Sequence, residues 1–228
     1  MKMNRFATSI RGHFDEQLES LRSQVVRMGD VTSEMISLSV EAAASGNQGI
    51  SQRVVSMDDE VDKLEQRVIL ETVDMVMRES PVASDLRVLT STLGVIGEIE
   101  KIADDAVKLA RRSERLGRPV QGEFKTALAE LSSLARNVLA SAIRLYVSYD
   151  PTLAEEVIES DEIIDKRYAV ARHRVIELIK SNPDATAEYL STMEILHALE
   201  HIADRSVAIA KRLQLHYESS DSDIKDAI

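Results

Sequence analysis

Apolar residues recur along this chain at spacings of three, four and seven, and the recurrence breaks at only a few places. Between residues 12 and 45 they are Phe14, Leu18, Leu21, Val25, Met28, Met35, Leu38 and Ala42. That spacing is the buried stripe of a helix in a bundle. A second stripe over residues 48–79 comprises Val54, Met57, Val61, Leu64, Val68 and Met75. A third, over 81–116, comprises Leu86, Leu89, Leu93, Ile96, Ala103, Val107 and Ala110. In the fourth segment, 122–149, Phe124, Leu131, Val138 and Leu145 fall seven apart, as do Leu128, Ala135 and Ala142. The fifth, 151–181, carries Val157, Ile164, Ala171 and Leu178. The sixth, 183–217, carries Leu190, Met193, Leu196, Ala203, Val207 and Ala210. Six amphipathic helices follow from this pattern.

The punctuation agrees. Pro81, Pro151 and Pro183 follow Ser80, Asp150 and Asn182. Each pair reads as an N-cap residue with proline in the first helical position. Gly46 with Gly49 marks another break, and Gly117 with Gly122 flanks Pro119 in a linker. Gly29 lies inside the first helix and weakens it. Gly94 and Gly97 sit within the third, where they suggest close packing against a neighbour.

Three helices followed by three more read as a duplication. Asp58-Asp-Glu-Val-Asp-Lys63 matches Asp161-Glu-Ile-Ile-Asp-Lys166, 103 residues later. Pro81 matches Pro183 at an offset of 102, and Glu100-Lys-Ile-Ala-Asp104 matches Glu200-His-Ile-Ala-Asp204 at 100. The expected fold is all-α: two tandem three-helix bundles, six helices in all, with an internal pseudo-two-fold duplication. The expected boundaries are 10–117 for the first bundle, 122–217 for the second and 218–228 for a polar, frayed tail. Short loops favour antiparallel neighbours.

Composition narrows the function. Aromatics make up 4 % of the 228 residues and tryptophan is absent, which favours helix over sheet. The formal net charge is −11, so free nucleic acid is an unsuitable partner and a cation or a basic protein surface a suitable one. There is no cysteine, which excludes disulfides, thiolate metal sites and cysteine nucleophiles. No apolar run approaches the roughly 20 residues of a membrane span, and the first ten residues lack an apolar signal region. The expectation is a cytoplasmic protein.

The chemistry lies in the repeated acids. Asp58 and Asp62, Glu100 and Asp104, Asp161 and Asp165, and Glu200 and Asp204 are each four residues apart, on one helix face. Glu100 and Glu200 also fall at apolar-stripe positions, where a carboxylate needs a partner or takes up a proton. One reading is salt bridging to Lys63, Arg67, Lys166, Arg167 or Arg205. The other is a hard divalent or ferric ion, such as Fe, Mn, Mg or Ca, or Zn with a histidine. His197-Ala-Leu-Glu-His201 fits a zinc-peptidase pattern, and Glu194-Ile-Leu-His197 fits the di-iron bundle pattern. The repeat weighs against both: His197, His201 and Glu194 correspond to Gly97, Lys101 and Gly94. His197 is kept as an accessory metal ligand. Neither a phosphate-cradling glycine loop nor a nucleophile elbow is present, so no enzymatic activity is expected.

Five features in order resemble the PhoU family: His13-Phe-Asp-Glu-Gln-Leu-Glu-Ser-Leu-Arg22, the acidic stretch 58–63, Pro81-Val-Ala-Ser-Asp-Leu-Arg87, and the two Glu-x-Ile-Ala-Asp copies. The resemblance spans about residues 10–217. It implies a negative regulator of phosphate uptake and phosphate-starvation signalling. Such a regulator links the ATPase subunit of a phosphate ABC transporter to a sensor histidine kinase, as a homodimer. It also implies metal at the E/D-x-x-x-D motifs, which fall on Glu100 with Asp104 and Glu200 with Asp204. Asp58, Asp62, Asp161 and Asp165 come from the facing helices. The chain departs from the family pattern at Ala103, Ala203, Lys108 and Ala208, where many members have glycine or asparagine. Lys108 stands in for metal charge in the first half, leaving the second half, with His197 and His201, as the better metal candidate. The alternatives are a metal-binding helical-bundle enzyme or metal store, or a helical adaptor unrelated to phosphate.

Overall fold

The computed structural model describes the backbone from residue 2 to 225 and side chains from residue 12 to 218. Six helices carry the chain: α1 (Lys2–Ser45), α2 (Gln48–Glu79), α3 (Ala83–Leu116), α4 (Glu123–Val147), α5 (Pro151–Ser181) and α6 (Thr186–Lys225). Among the described residues there is no strand. Helices α1–α3 pack on one another, as do α4–α6, and the most extensive contact of all joins α3 to α6. The fold is the expected pair of tandem three-helix bundles. A single apolar core runs through both halves.

The stripes bury largely as their spacing dictates. Phe14, Leu21, Val25, Met28 and Met35 on α1 are buried, and so are all seven residues of the two interleaved rows on α4. Leu86 and Leu190, expected inside, are instead exposed. Each lies in the first turns of its helix. Each fully buried Leu, Ile or Val contributes roughly 1.5–3 kcal/mol. Like-charge pairs four apart on a helix cost only about 0.2–0.5 kcal/mol, so the apolar stripes carry helices that hold acid pairs.

The helix ends depart from expectation in four places. Asp150 caps α5 as read, its Oδ1 accepting from the backbone N–H groups of Thr152 and Leu153. Ser80, however, is the left-handed C-cap of α2, and α3 begins two residues after Pro81. Pro183 opens a short 3₁₀ turn, Pro183–Ala185, before α6 begins. Proline's fixed φ suits that tighter turn equally well. Finally, α1 starts before Gly12, and α6 continues to Lys225 into the expected tail; the side chains of 219–228 lie outside the described residues.

The linker between the halves is pinned down. Val120 is buried, and its N–H donates to the Ala43 carbonyl at 2.8 Å. Gly46, at φ +71°, lies so close to the linker that a Cβ would meet the Arg118 and Pro119 backbone at 3.1–3.2 Å. Gly29 has a packing reason: a Cβ there would touch Ile143 of α4 at 3.0 Å.

Helices α3 and α6 run antiparallel. Gly94 lies under the side chain of Arg212, and Arg112 reaches Glu194 at 3.3 Å from the other end. Between them, Arg205 Nε donates to Asp105 Oδ2 at 2.7 Å. Gly97 has open space where a Cβ would go, so the close-packing expectation holds at Gly94 and fails at Gly97.

Candidate functional site

In each half, a helix pair sets four predicted acids on facing surfaces. Between α2 and α3, Asp104, Asp62 and Asp58 surround Glu100, together with Glu65. Between α5 and α6, Asp204, Asp165 and Asp161 surround Glu200. All eight carboxylates therefore gather into two clusters, one per bundle.

The electrostatics follow from this crowding. Burial, then the neighbouring acids, pushes the Glu100 carboxyl above its ordinary value. The same causes push Glu200 further, to about 7. Asp58 is raised by burial first and then by Asp62 and Asp104, with Arg111 pulling the other way. Burial and the two α5 aspartates raise Asp204, with His201 and Lys211 opposing. Each cluster thus favours a proton or another positive charge.

Bases do reach the clusters, while three of the expected ones pair elsewhere. Lys166 pairs with Glu162, Arg167 with Glu130, and Arg205 with Asp105. In their place Lys211 Nζ sits 3.1 Å from Asp161 Oδ2, and its counterpart Arg111 lies near Asp58. Lys108 bonds mainly to Asp105 at 2.9 Å and lies 3.7 Å from Asp104. It thus sits beside the first-half motif, as its sequence position suggests.

The halves differ in ligand geometry. Among the described residues, two groups of three place their potential ligand atoms within 4.8 Å of one another, and both are in the second half. One is Asp161, Asp165 and Asp204; the other is His197, Glu200 and His201. His197 Nε2 lies 3.5 Å and His201 Nε2 3.9 Å from the same Glu200 oxygen, Oε2. The His197 ring, held below its ordinary pKa chiefly by burial, stacks on Tyr168 at 5.3 Å. His197 thus meets Glu200 rather than the aspartate trio. Glu194, the other acid of the di-iron-like pattern, is engaged by Arg112.

Known proteins place this architecture. The PhoU domain model matches residues 25–113 and again 128–213. The chain belongs to the PhoU family. It is 28 % identical over 205 residues to the "phosphate-specific transport system accessory protein PhoU homolog" of Pseudomonas putida, covering 89 % of this chain and 79 % of that one. The PhoU crystal structure from Pseudomonas aeruginosa superposes with a TM-score of 0.85 at 26 % identity, covering 90 % of this chain and 99 % of that one. The Streptococcus pneumoniae phosphate transport system regulatory protein PhoU shares the fold, with a TM-score of 0.82 at 22 % identity over 90 % of this chain and 96 % of that one.

Within this PhoU frame, sequence reading missed several site residues. Glu65 lies three and seven residues beyond Asp62 and Asp58, on the same α2 face, and that spacing could have found it. Its counterpart 103 residues on is Tyr168, so one half has an acid where the other has a ring against His197. Asp105, nearly fully buried at 4 % side-chain exposure, lies three residues past Ile102 and four before Leu109, a core position. Arg111 and Lys211 had no signal beyond their mutual 100-residue offset.

Proposed function

We propose that this protein is an accessory regulator of phosphate uptake without catalytic activity. It acts in the cytoplasm by docking on the ATPase subunit of a phosphate transporter and on a sensor kinase, and holds phosphate-starvation genes off when phosphate is plentiful. The observation that carries this is the family model matched in both halves, alongside relatives named as phosphate transport accessory proteins. Two features of the surface support docking. The acid clusters suit a basic partner face. The last turns of α2 expose Ile69, Leu70, Val73, Val76 and Met77, an apolar strip of the kind that marks protein contacts. The same strip supports the homodimer as part of this reading. Among the described residues no helix is long and apolar enough to cross a membrane.

Metal at the motif belongs to the same proposal. The Asp161, Asp165 and Asp204 trio is an all-oxygen donor set that fits a hard cation such as Mn²⁺, Mg²⁺ or iron. When bound, the ion would supply the positive charge that the raised carboxyls of that cluster call for. Lys211 covers part of the need at Asp161, and in the first half Lys108 and Arg111 do so.

The test is co-purification with the transporter ATPase from cells grown in high phosphate. The wild-type chain is expected to bring the ATPase down. A Glu100→Ala, Glu200→Ala variant is expected to recover markedly less and to release a phosphate-starvation reporter. Absence of association by the wild-type chain at high phosphate would sink the reading.

A further inference from the structure

We infer that His197, Glu200 and His201 form a second metal site, an imidazole–carboxylate site for a late first-row divalent ion such as Zn²⁺ or Co²⁺. It shares no residue with the aspartate trio. The three residues occupy one face of α6, at i, i+3 and i+4. Both imidazole Nε2 atoms flank one oxygen, Glu200 Oε2, at 3.5 and 3.9 Å. Two ligands each about 2.1 Å from a tetrahedral ion stand about 3.4 Å apart. The side chains are therefore already near ligating separation without backbone movement.

A second observation points the same way. Glu200 Oε2 is buried and accepts no hydrogen bond among the protein groups around it. A buried carboxylate oxygen without a donor is costly, and a cation between it and the two rings would satisfy it. The ring centroids lie 4.1 Å apart, with Tyr168 stacked on His197. His201 opens onto a surface depression shared with Glu98, Asp204 and Arg205, which leaves an approach for an ion and for a water as further ligand. Imidazole donors favour zinc, cobalt, nickel and copper over the hard ions suited to carboxylates alone. The first half has Gly97 and Lys101 at these positions, so the site belongs to the second half only.

The experiment is a Co²⁺ titration of the metal-free full chain, prepared without a polyhistidine tag, read by visible absorption and by competition with Zn²⁺. One Co²⁺ per chain is expected, displaced by Zn²⁺. His197→Ala and His201→Ala are each expected to weaken binding at least tenfold, with unchanged helicity by circular dichroism. Asp161→Asn with Asp165→Asn is expected to leave Co²⁺ binding intact while abolishing Mn²⁺ uptake. Co²⁺ binding that ignores both histidine variants, or that is absent in the wild-type chain, overturns the inference. So does binding lost equally in the aspartate variant, since that would make one shared site. Failure of Mn²⁺ uptake alone counts against the metal part of the proposed function and leaves this site standing.

Discussion

Glu200 makes the stability of the metal-free protein depend on pH in a direction opposite to that of an ordinary paired carboxylate. Its carboxyl titrates at about 7 in the folded chain instead of its ordinary 4.5, through burial and then Asp204, Asp165 and Asp161. Between those two pH values the folded state holds a proton that the unfolded chain has lost. Stability therefore falls as pH rises through this window, and the full loss is present above pH 7. Each pKa unit corresponds to about 1.36 kcal/mol; with its side chain 16 % exposed, Glu200 stands to lose on the order of 2–3 kcal/mol. Glu200→Gln keeps the shape and removes the ionisation. Any constant cost of burying the amide is the same at every pH, so the informative quantity is the change in the variant-minus-wild-type difference. Urea unfolding in chelator at pH 4, 5, 6, 7 and 8 measures it. The difference is expected to move in favour of the variant by about 2–3 kcal/mol between pH 4.5 and 8, and to be flat below pH 4.5. Curves that stay parallel to within about 0.5 kcal/mol over the whole range would refute the reasoning, because Glu200 would then ionise as it does in the unfolded chain.

Three further outcomes follow from local structure. Asp105→Ala removes a buried carboxylate bonded to both Arg205 and Lys108; urea unfolding should show a loss of about 2–4 kcal/mol, and a loss below 0.5 would contradict its burial. Gly97→Ala places a methyl in open space within a helix, and a gain of about 0.5–1 kcal/mol is expected in thermal unfolding. Asp150→Ala removes the α5 cap and should cost about 1 kcal/mol, while a neutral result would show that Pro151 alone sets the helix start.

Much of this was legible because periodicity records burial. Leu131, Val138 and Leu145 needed no partner to be recognised as core, and the repeated acids announced two clusters through their equal offsets. What stayed hidden depended on crossing helices. Lys211 reaches Asp161 from α6 across to α5, and nothing in either segment alone encodes that reach. Leu86 and Leu190 satisfy the stripe spacing yet stay exposed, because spacing fixes a face of the helix and not whether a neighbour covers every position on that face. Ser80 reads as an N-cap by residue type, but its φ of +46° makes it a stop for α2. His201 departs from the repeat, where Lys101 stands, so comparing the halves marked it as a difference near the second-half motif but did not show that it meets Glu200.

The bond between Arg205 and Asp105 joins two residues 100 positions apart, the same interval that separates the matched motifs. Each residue therefore faces its own counterpart, which places both on the axis relating the halves. Two separate, identical half-chains meeting there would set aspartate against aspartate, or arginine against arginine, in a place where Asp105 is almost wholly shut off from water. A fused chain can hold unlike residues at such a point. Fusion thus released the halves from having to match, and it is the same release that lets one bundle keep Lys108 and Glu65 while the other acquires His197, His201 and Tyr168.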